Sequence, residues 1–155
     1  MIEPLRISLL VDCSIDHAFD TWTQRPESWW PLAHTVTHEP GVRVTFEPHV
    51  GGRIFERTPS GIEVEWGRIT AWEPPRRLVY EWHIATDAAH ATEVEIAFTP
   101  EGHRTRVRVE HRGWERLGGA VGRSWRDTNQ AGWDGVLPDF VAACRTAATQ
   151  TRRID

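Results

Sequence analysis

From residue 41 to residue 112 the chain alternates polar and apolar side chains with a period of two, and Gly and Pro interrupt the alternation at the spacing of antiparallel strands. Successive side chains of a strand face opposite ways, so the pattern commits this stretch to a sheet with one face buried. Strands are expected near 42–47, 52–57, 62–72, 77–85, 91–99 and 104–112. Leu5, Ile7 and Leu9 alternate with Arg6 and Ser8, which adds an opening strand that runs to about Asp12. In the turn Pro100-Glu101-Gly102-His103, a two-residue Glu-Gly loop sets a hairpin in which Val94 faces Val109, Ile96 faces Val107 and Phe98 faces Thr105. The same register puts Glu95 beside Arg108, so Arg104, Arg106 and Arg108 read as a solvated sheet face rather than a nucleic-acid groove.

Helical periodicity flanks this block. Ser14 is placed as an N-cap, with Ile15, Ala18, Phe19 and Trp22 at helical spacing behind it, and Pro26 ends the helix. The segment Glu27-Ser28-Trp29-Trp30-Pro31 is then a further turn that displays two adjacent tryptophans. Four glycines between Gly113 and Gly122 mark a loop or a loosely helical excursion. Beyond them Ala131, Val136, Phe140, Val141, Cys144 and Ala148 approximate an apolar stripe, which predicts a long helix from about Asp127 to about Thr149, kinked at Pro138. One short helix, seven strands and a long final helix make an α+β layout in which the helix covers a curved sheet and leaves space beneath it.

Composition narrows the function. The chain has 155 residues, the length of a single domain spanning 1–155. Its 18 basic residues are all Arg, which excludes Schiff-base chemistry on a lysine and a P-loop lysine. A net charge of −4 argues against a general nucleic-acid binder. With no apolar run near 20 residues and no basic leader segment, the expected location is the cytoplasm, with no membrane span. Cys13 and Cys144 lack any motif context and read as two reduced, buried thiols.

Nine tryptophans against a single tyrosine are the strongest chemical signal. Along 77–85, Leu78, Tyr80, Trp82 and Ile84 share the face expected to be concave. Tyr80 and Trp82 then wall an apolar pocket with Trp133 from the helix and Trp29 or Trp30 at its mouth, or else simply fill the core. His111 ends the last strand on the Val107 and Val109 face, where an imidazole either bonds a ligand or is a satisfied core residue. Strand 62–72 leaves two faces open: Val64, Trp66, Arg68 and Trp72 on one, Glu63, Glu65, Gly67 and Ile69 on the other. If the second faces inward, two carboxylates enter the cavity and acid–base catalysis becomes available; if not, they are solvent-facing. His34 and His38 stand four apart, but β-branched residues separate them between two prolines, so no helix holds them and no metal site is expected.

The residues that carry a family resemblance run through most of the chain. They are Ala18-Phe19-Asp20-Thr21-Trp22-Thr23, Trp29-Trp30, Gly51-Gly52-Arg53-Ile54-Phe55-Glu56, the block Gly67 to Trp82 around Glu73-Pro74-Pro75-Arg76-Arg77-Leu78, then Thr105, His111, Gly113, Gly132-Trp133 and Leu137. In these the chain resembles bacterial homologues of the activator of heat-shock-protein-90 ATPase, in the START-like (SRPBCC) superfamily. The resemblance implies a helix-grip fold: a curved antiparallel sheet of about seven strands around a long C-terminal helix, enclosing a cavity. It implies no single reaction; taken with the strand faces, the expectation is binding of a hydrophobic or aromatic small molecule without demonstrated catalysis, with Trp29, Trp30, Tyr80, Trp82, His111 and Trp133 as ligand-binding residues and no cofactor. The alternatives are a chaperone co-factor, with a chaperone or a second copy as partner, and a cyclase- or aromatase-like enzyme using His111 with Glu63 or Glu65.

Overall fold

A computed structural model describes the backbone of residues 2–154 and the side chains through residue 145. Seven strands form one antiparallel sheet: β1 (Leu5–Val11), β2 (Arg43–Phe46), β3 (Arg53–Arg57), β4 (Glu63–Glu73), β5 (Arg77–Trp82), β6 (Thr92–Glu101) and β7 (Arg104–Arg112). Their spatial order is β1-β7-β6-β5-β4-β3-β2, so the opening strand closes back against the last one. Helix α1 (Ile15–Thr23) follows β1, and its N-cap is Ser14, whose hydroxyl accepts from the His17 backbone N–H. Helix α2 (Gly119–Ile154) packs on α1 and on β1. The α+β helix-grip architecture is thus as the alternation requires.

Three boundaries differ from expectation. The β6–β7 loop is Gly102-His103, not Glu101-Gly102, so Ile96 pairs with Val109, Phe98 with Val107 and Val94 with His111. A two-residue slip keeps the faces and changes only the partners. Gly102 takes φ 63° at the first loop position, where a type II′ turn needs left-handed backbone. Glu95 accordingly pairs with Arg77 and Arg112 rather than Arg108.

Helix α2 begins eight residues before the expected start, within the glycine-rich stretch, and runs on through Pro138. Its buried stripe is Trp133, Val136, Leu137, Phe140 and Cys144; Ala131 is exposed, and the side chain of Ala148 lies outside the described residues. β5 stops at Trp82, three residues short of the expected end.

The face of β4 resolves through two bulges. Register shifts fall between Ile54 and Phe55 in the β3–β4 ladder and between Ile69 and Ala71 in the β4–β5 ladder. Each bulge inserts one residue and flips the alternation. The buried positions are therefore Trp66, Gly67 and Ile69, drawn from both candidate faces, while Arg68 and Thr70 are exposed. Glu63 bonds Arg53, and Glu65 bonds Arg68 and His83. Glu63 is exposed and Glu65 about half-buried, and both point away from the interior.

Candidate functional site

The concave face is filled with rings. Leu78 and Tyr80 on β5 are fully buried, with Trp82 beside them, and α1 and α2 add Trp22 and Phe140. The contacts run as a chain: Trp22 lies 5.4 Å from Trp29 and 6.1 Å from Trp133, Trp30 lies 5.0 Å from Trp66 and 6.0 Å from Trp82, and Trp82 stacks on Trp133 at 6.4 Å. Edge-to-face and offset pairs of this kind add about 0.5–1.5 kcal/mol each beyond area burial. The two adjacent tryptophans divide as a single turn demands. Trp29 is buried and donates its indole N–H to the Thr21 carbonyl at 2.7 Å, whereas Trp30 is half-buried.

Between the end of β5, the segment 30–34 and α2 lies a cleft of about 60 Å³, lined by Trp30, His34, Trp82, Ile84, Asn129, Gly132, Trp133 and Val136. Hollows of about 390 and 520 Å³ lie on the outer side of the sheet, one walled by Arg6, Glu95, Arg108 and Glu110, the other by Arg43, Thr45 and Arg57. Neither has more than one aromatic ring in its lining. The small interior cleft matters more because it is walled by aromatic faces. Trp30, Trp82 and Trp133 meet there, while Trp29, Tyr80 and His111 stand behind them and do not line it.

The polar atoms of the interior can be assigned one by one. His111 is fully buried, and its Nδ1 lies 3.0 Å from the Trp133 indole nitrogen. An indole only donates, so Nδ1 accepts and Nε2 carries the proton. Nε2–H then donates to Thr92 Oγ1 at 2.6 Å, and that hydroxyl donates to the Trp82 carbonyl at 3.3 Å. Burial pushes His111 down to about 3, so the ring is neutral. Both nitrogens are engaged: His111 is the satisfied core histidine, holding β6, β7 and Trp133 in place.

Glu56 is the residue that sequence reasoning missed. It sits on β3 fully buried, and its carboxylate accepts from Val36 N–H at 2.6 Å, Thr37 N–H at 3.0 Å, Thr37 Oγ1 at 2.7 Å and Trp66 Nε1 at 2.8 Å. Burial alone would raise its pKa, but the donors from Val36, Thr37 and Trp66 outweigh it, so the carboxyl lies below the usual carboxylate range. The signal was available, since Glu56 shares the inward phase of strand 52–57 with Ile54. His34 turns its ring onto α2, where a Cβ on Gly135 would come within 2.6 Å of Nε2. The buried Tyr80 hydroxyl and Trp22 indole N–H have no well-formed hydrogen bond, and burial raises the tyrosine's pKa well above its ordinary value.

With Glu63 and Glu65 outside and His111 saturated, the pairing of His111 with either carboxylate for acid–base work does not form. Cys13 and Cys144 are buried and free, and they lie side by side with the Cys144 thiol directed at the Cys13 sulfur, which lowers the pKa of Cys13 and, with burial, raises that of Cys144.

A curved seven-stranded sheet closed on a long helix, with an aromatic cleft between them, defines the START-like helix-grip class. The family described as activator of Hsp90 ATPase homolog 1-like protein matches residues 12–144, and the chain belongs to it. Among solved structures, an anthrahydroquino-gamma-pyrone synthase, Txn09, complexed with SUM, is 31% identical with a TM-score of 0.60, covering 92% of this chain and 97% of that one. The self-sacrificing resistance protein CalC from Micromonospora echinospora is 28% identical with a TM-score of 0.71, covering 94% and 96%. Protein MLL2253 from Mesorhizobium loti, 19% identical at a TM-score of 0.69 and covering 93% and 98%, shares the fold. No sequence among the curated proteins matches the chain. No helix among the described residues is long and apolar enough to cross a membrane.

Proposed function

We propose that this protein binds a planar aromatic small molecule in the cleft between the sheet and α2, in the cytoplasm, without catalysing a reaction on it. The observation that carries the reading is the convergence of Trp30, Trp82 and Trp133 on one cleft, with Asn129 and His34 as its polar groups. Aromatic walls with a few polar groups are the usual make-up of a small-molecule site. Trp29, Tyr80 and His111 support that wall from behind.

The interior offers little for proton transfer. Glu56 is held ionised by four bonds, and both nitrogens of His111 are engaged. Binding is therefore a better reading than catalysis. The family's name carries the second reading, a chaperone co-factor. Titrating tryptophan fluorescence and calorimetric heat with 2-naphthol, 1-naphthol and a straight-chain fatty acid tests the first; an ATPase assay with the Hsp90-type chaperone tests the second. Saturable binding of the aromatics, tighter than that of the fatty acid, is expected. ATPase stimulation with no small-molecule binding would overturn the reading.

A further inference from the structure

The cleft is too small for the ligand it is read to take. An apolar cavity of roughly 150 Å³ holds one benzene, and the cleft is about 60 Å³. Something that now fills the space must leave, and the packing around Trp30 identifies it.

Trp30 is the half-buried ring of the cluster, with Trp29 at 5.5 Å, Trp66 at 5.0 Å and Trp82 at 6.0 Å around it. Its indole N–H donates to the His34 carbonyl at 3.1 Å, four residues on, so the ring is bonded to its own segment and not to the sheet or to α2. That segment is fastened to the sheet elsewhere, through Val36 and Thr37 on the Glu56 carboxylate. The same carboxylate holds the indole of Trp66, the ring that Trp30 packs against. On the other side the segment rests on α2 through His34 at Gly135, a place with no room for a side chain.

We propose that Trp30 is a built-in occupant of the ligand site, that a planar aromatic of one or two fused rings binds by taking the place of its indole, and that segment 30–38 is the strap that carries it out. The proposal rests on the binding reading above and adds the size class of the ligand and the residue that sets it. Vacating a ring system larger than benzene adds at least the roughly 150 Å³ of a benzene-holding cavity. Counting that volume once gives a site of about 210 Å³, at the small end of ligand sites, which run ≈ 300–1,000 Å³. Glu56 is the latch: it holds the strap closed and stays in place, with Trp66, when the strap moves.

Indole and 2-naphthol are the probes, and the protein is the full chain. In the wild type, addition of 2-naphthol moves the Trp30 Nε1–H cross-peak in ¹H–¹⁵N spectra toward the position of a solvent-exposed indole. Trp30→Ala, with the occupant gone, binds both probes at least about ten-fold more tightly, because the closed state no longer reduces the competent population. Trp30→Phe gives an intermediate gain and carries the test if Trp30→Ala does not fold. Glu56→Gln, which leaves the cleft wall untouched, raises wild-type affinity several-fold. If the wild type binds 2-naphthol while the Trp30 peak stays fixed and Trp30→Ala binds no more tightly, displacement is overturned and the binding reading stands. If neither the wild type nor any variant binds either probe, both fall together.

Discussion

As the pH falls below 6.5, an unfolded chain takes up a proton on His111 that the folded protein refuses down to about 3. Between those values the unfolded state binds one more proton, so stability falls as the solution is acidified. The slope from a single such group reaches about 1.4 kcal/mol per pH unit, and the full interval of about three and a half units corresponds to roughly 4–5 kcal/mol. That is a large part of the ≈ 5–15 kcal/mol that holds most domains folded. The assay is urea unfolding followed by tryptophan fluorescence at pH 7, 6 and 5. With a slope near 2 kcal/mol per molar urea, the midpoint should drop by about 0.7 M per pH unit below 6.5. His111→Gln supplies the control. Its carbonyl can accept from Trp133 and its amide donate to Thr92, as the imidazole does, but it cannot take up a proton. The variant should be less stable at pH 7 and lose the His111 part of the slope. An unchanged wild-type midpoint from pH 7 to 5, or the same slope in His111→Gln, would refute the neutral-imidazole network.

Glu56→Gln keeps an acceptor for Val36 and Trp66 but turns an amide toward the Thr37 N–H, so it should cost about 2–4 kcal/mol in urea unfolding. Because the folded carboxyl lies below its ordinary 4.5, that stabilisation is complete above pH 4.5 and is lost as the pH falls through the lower folded value; the gap between wild type and variant should close with it. Gly132→Ala meets no atom within 4 Å and should stabilise α2 by about 0.5–1 kcal/mol, seen as a Tm rise of about 1–4 °C. Cys13 and Cys144 are buried, so Ellman's reagent should find no reactive thiol in the folded protein and two in urea. Rapid reaction under native conditions would show that α2 lifts off the sheet.

The fold was legible because alternation survives in most strands. Leu78, Tyr80 and Trp82 on β5 lie inward where a period of two puts them. It failed on β4, where two bulges insert a residue each, and no local sequence signal separates a bulge from a continuing strand. The start of α2 was hidden for a different reason. Gly119 and Gly122 have poor helix propensity, and their helical state comes from packing: a side chain on Gly122 would strike the Trp114 carbonyl. At the site, the aromatic residues were visible in composition, but their separation into cleft wall and supporting layer depends on distances between elements far apart in the chain. Glu56 was overlooked because a carboxylate is normally assigned to solvent, and its four donors come from residues 10 to 20 positions away.

The glycines and the proline of α2 bear on the order in which the protein assembles. Gly119, Gly122, Gly132, Gly135 and Pro138 cost about 0.8–1.0 kcal/mol per glycine and about 3 kcal/mol for the proline relative to alanine. A peptide of residues 119–154 should thus be largely unstructured on its own in water. The β6–β7 hairpin, closed by a two-residue loop, has local contacts that form without the helix. The expected order is therefore hairpin before helix, with the last segment winding on strands already paired, which stopped-flow refolding with pulsed hydrogen exchange would check by earlier protection of β6 and β7 than of α2. A cell that slowed translation or blocked docking of this segment would hold a curved sheet with its tryptophan-lined face open, the species most in need of protection from aggregation.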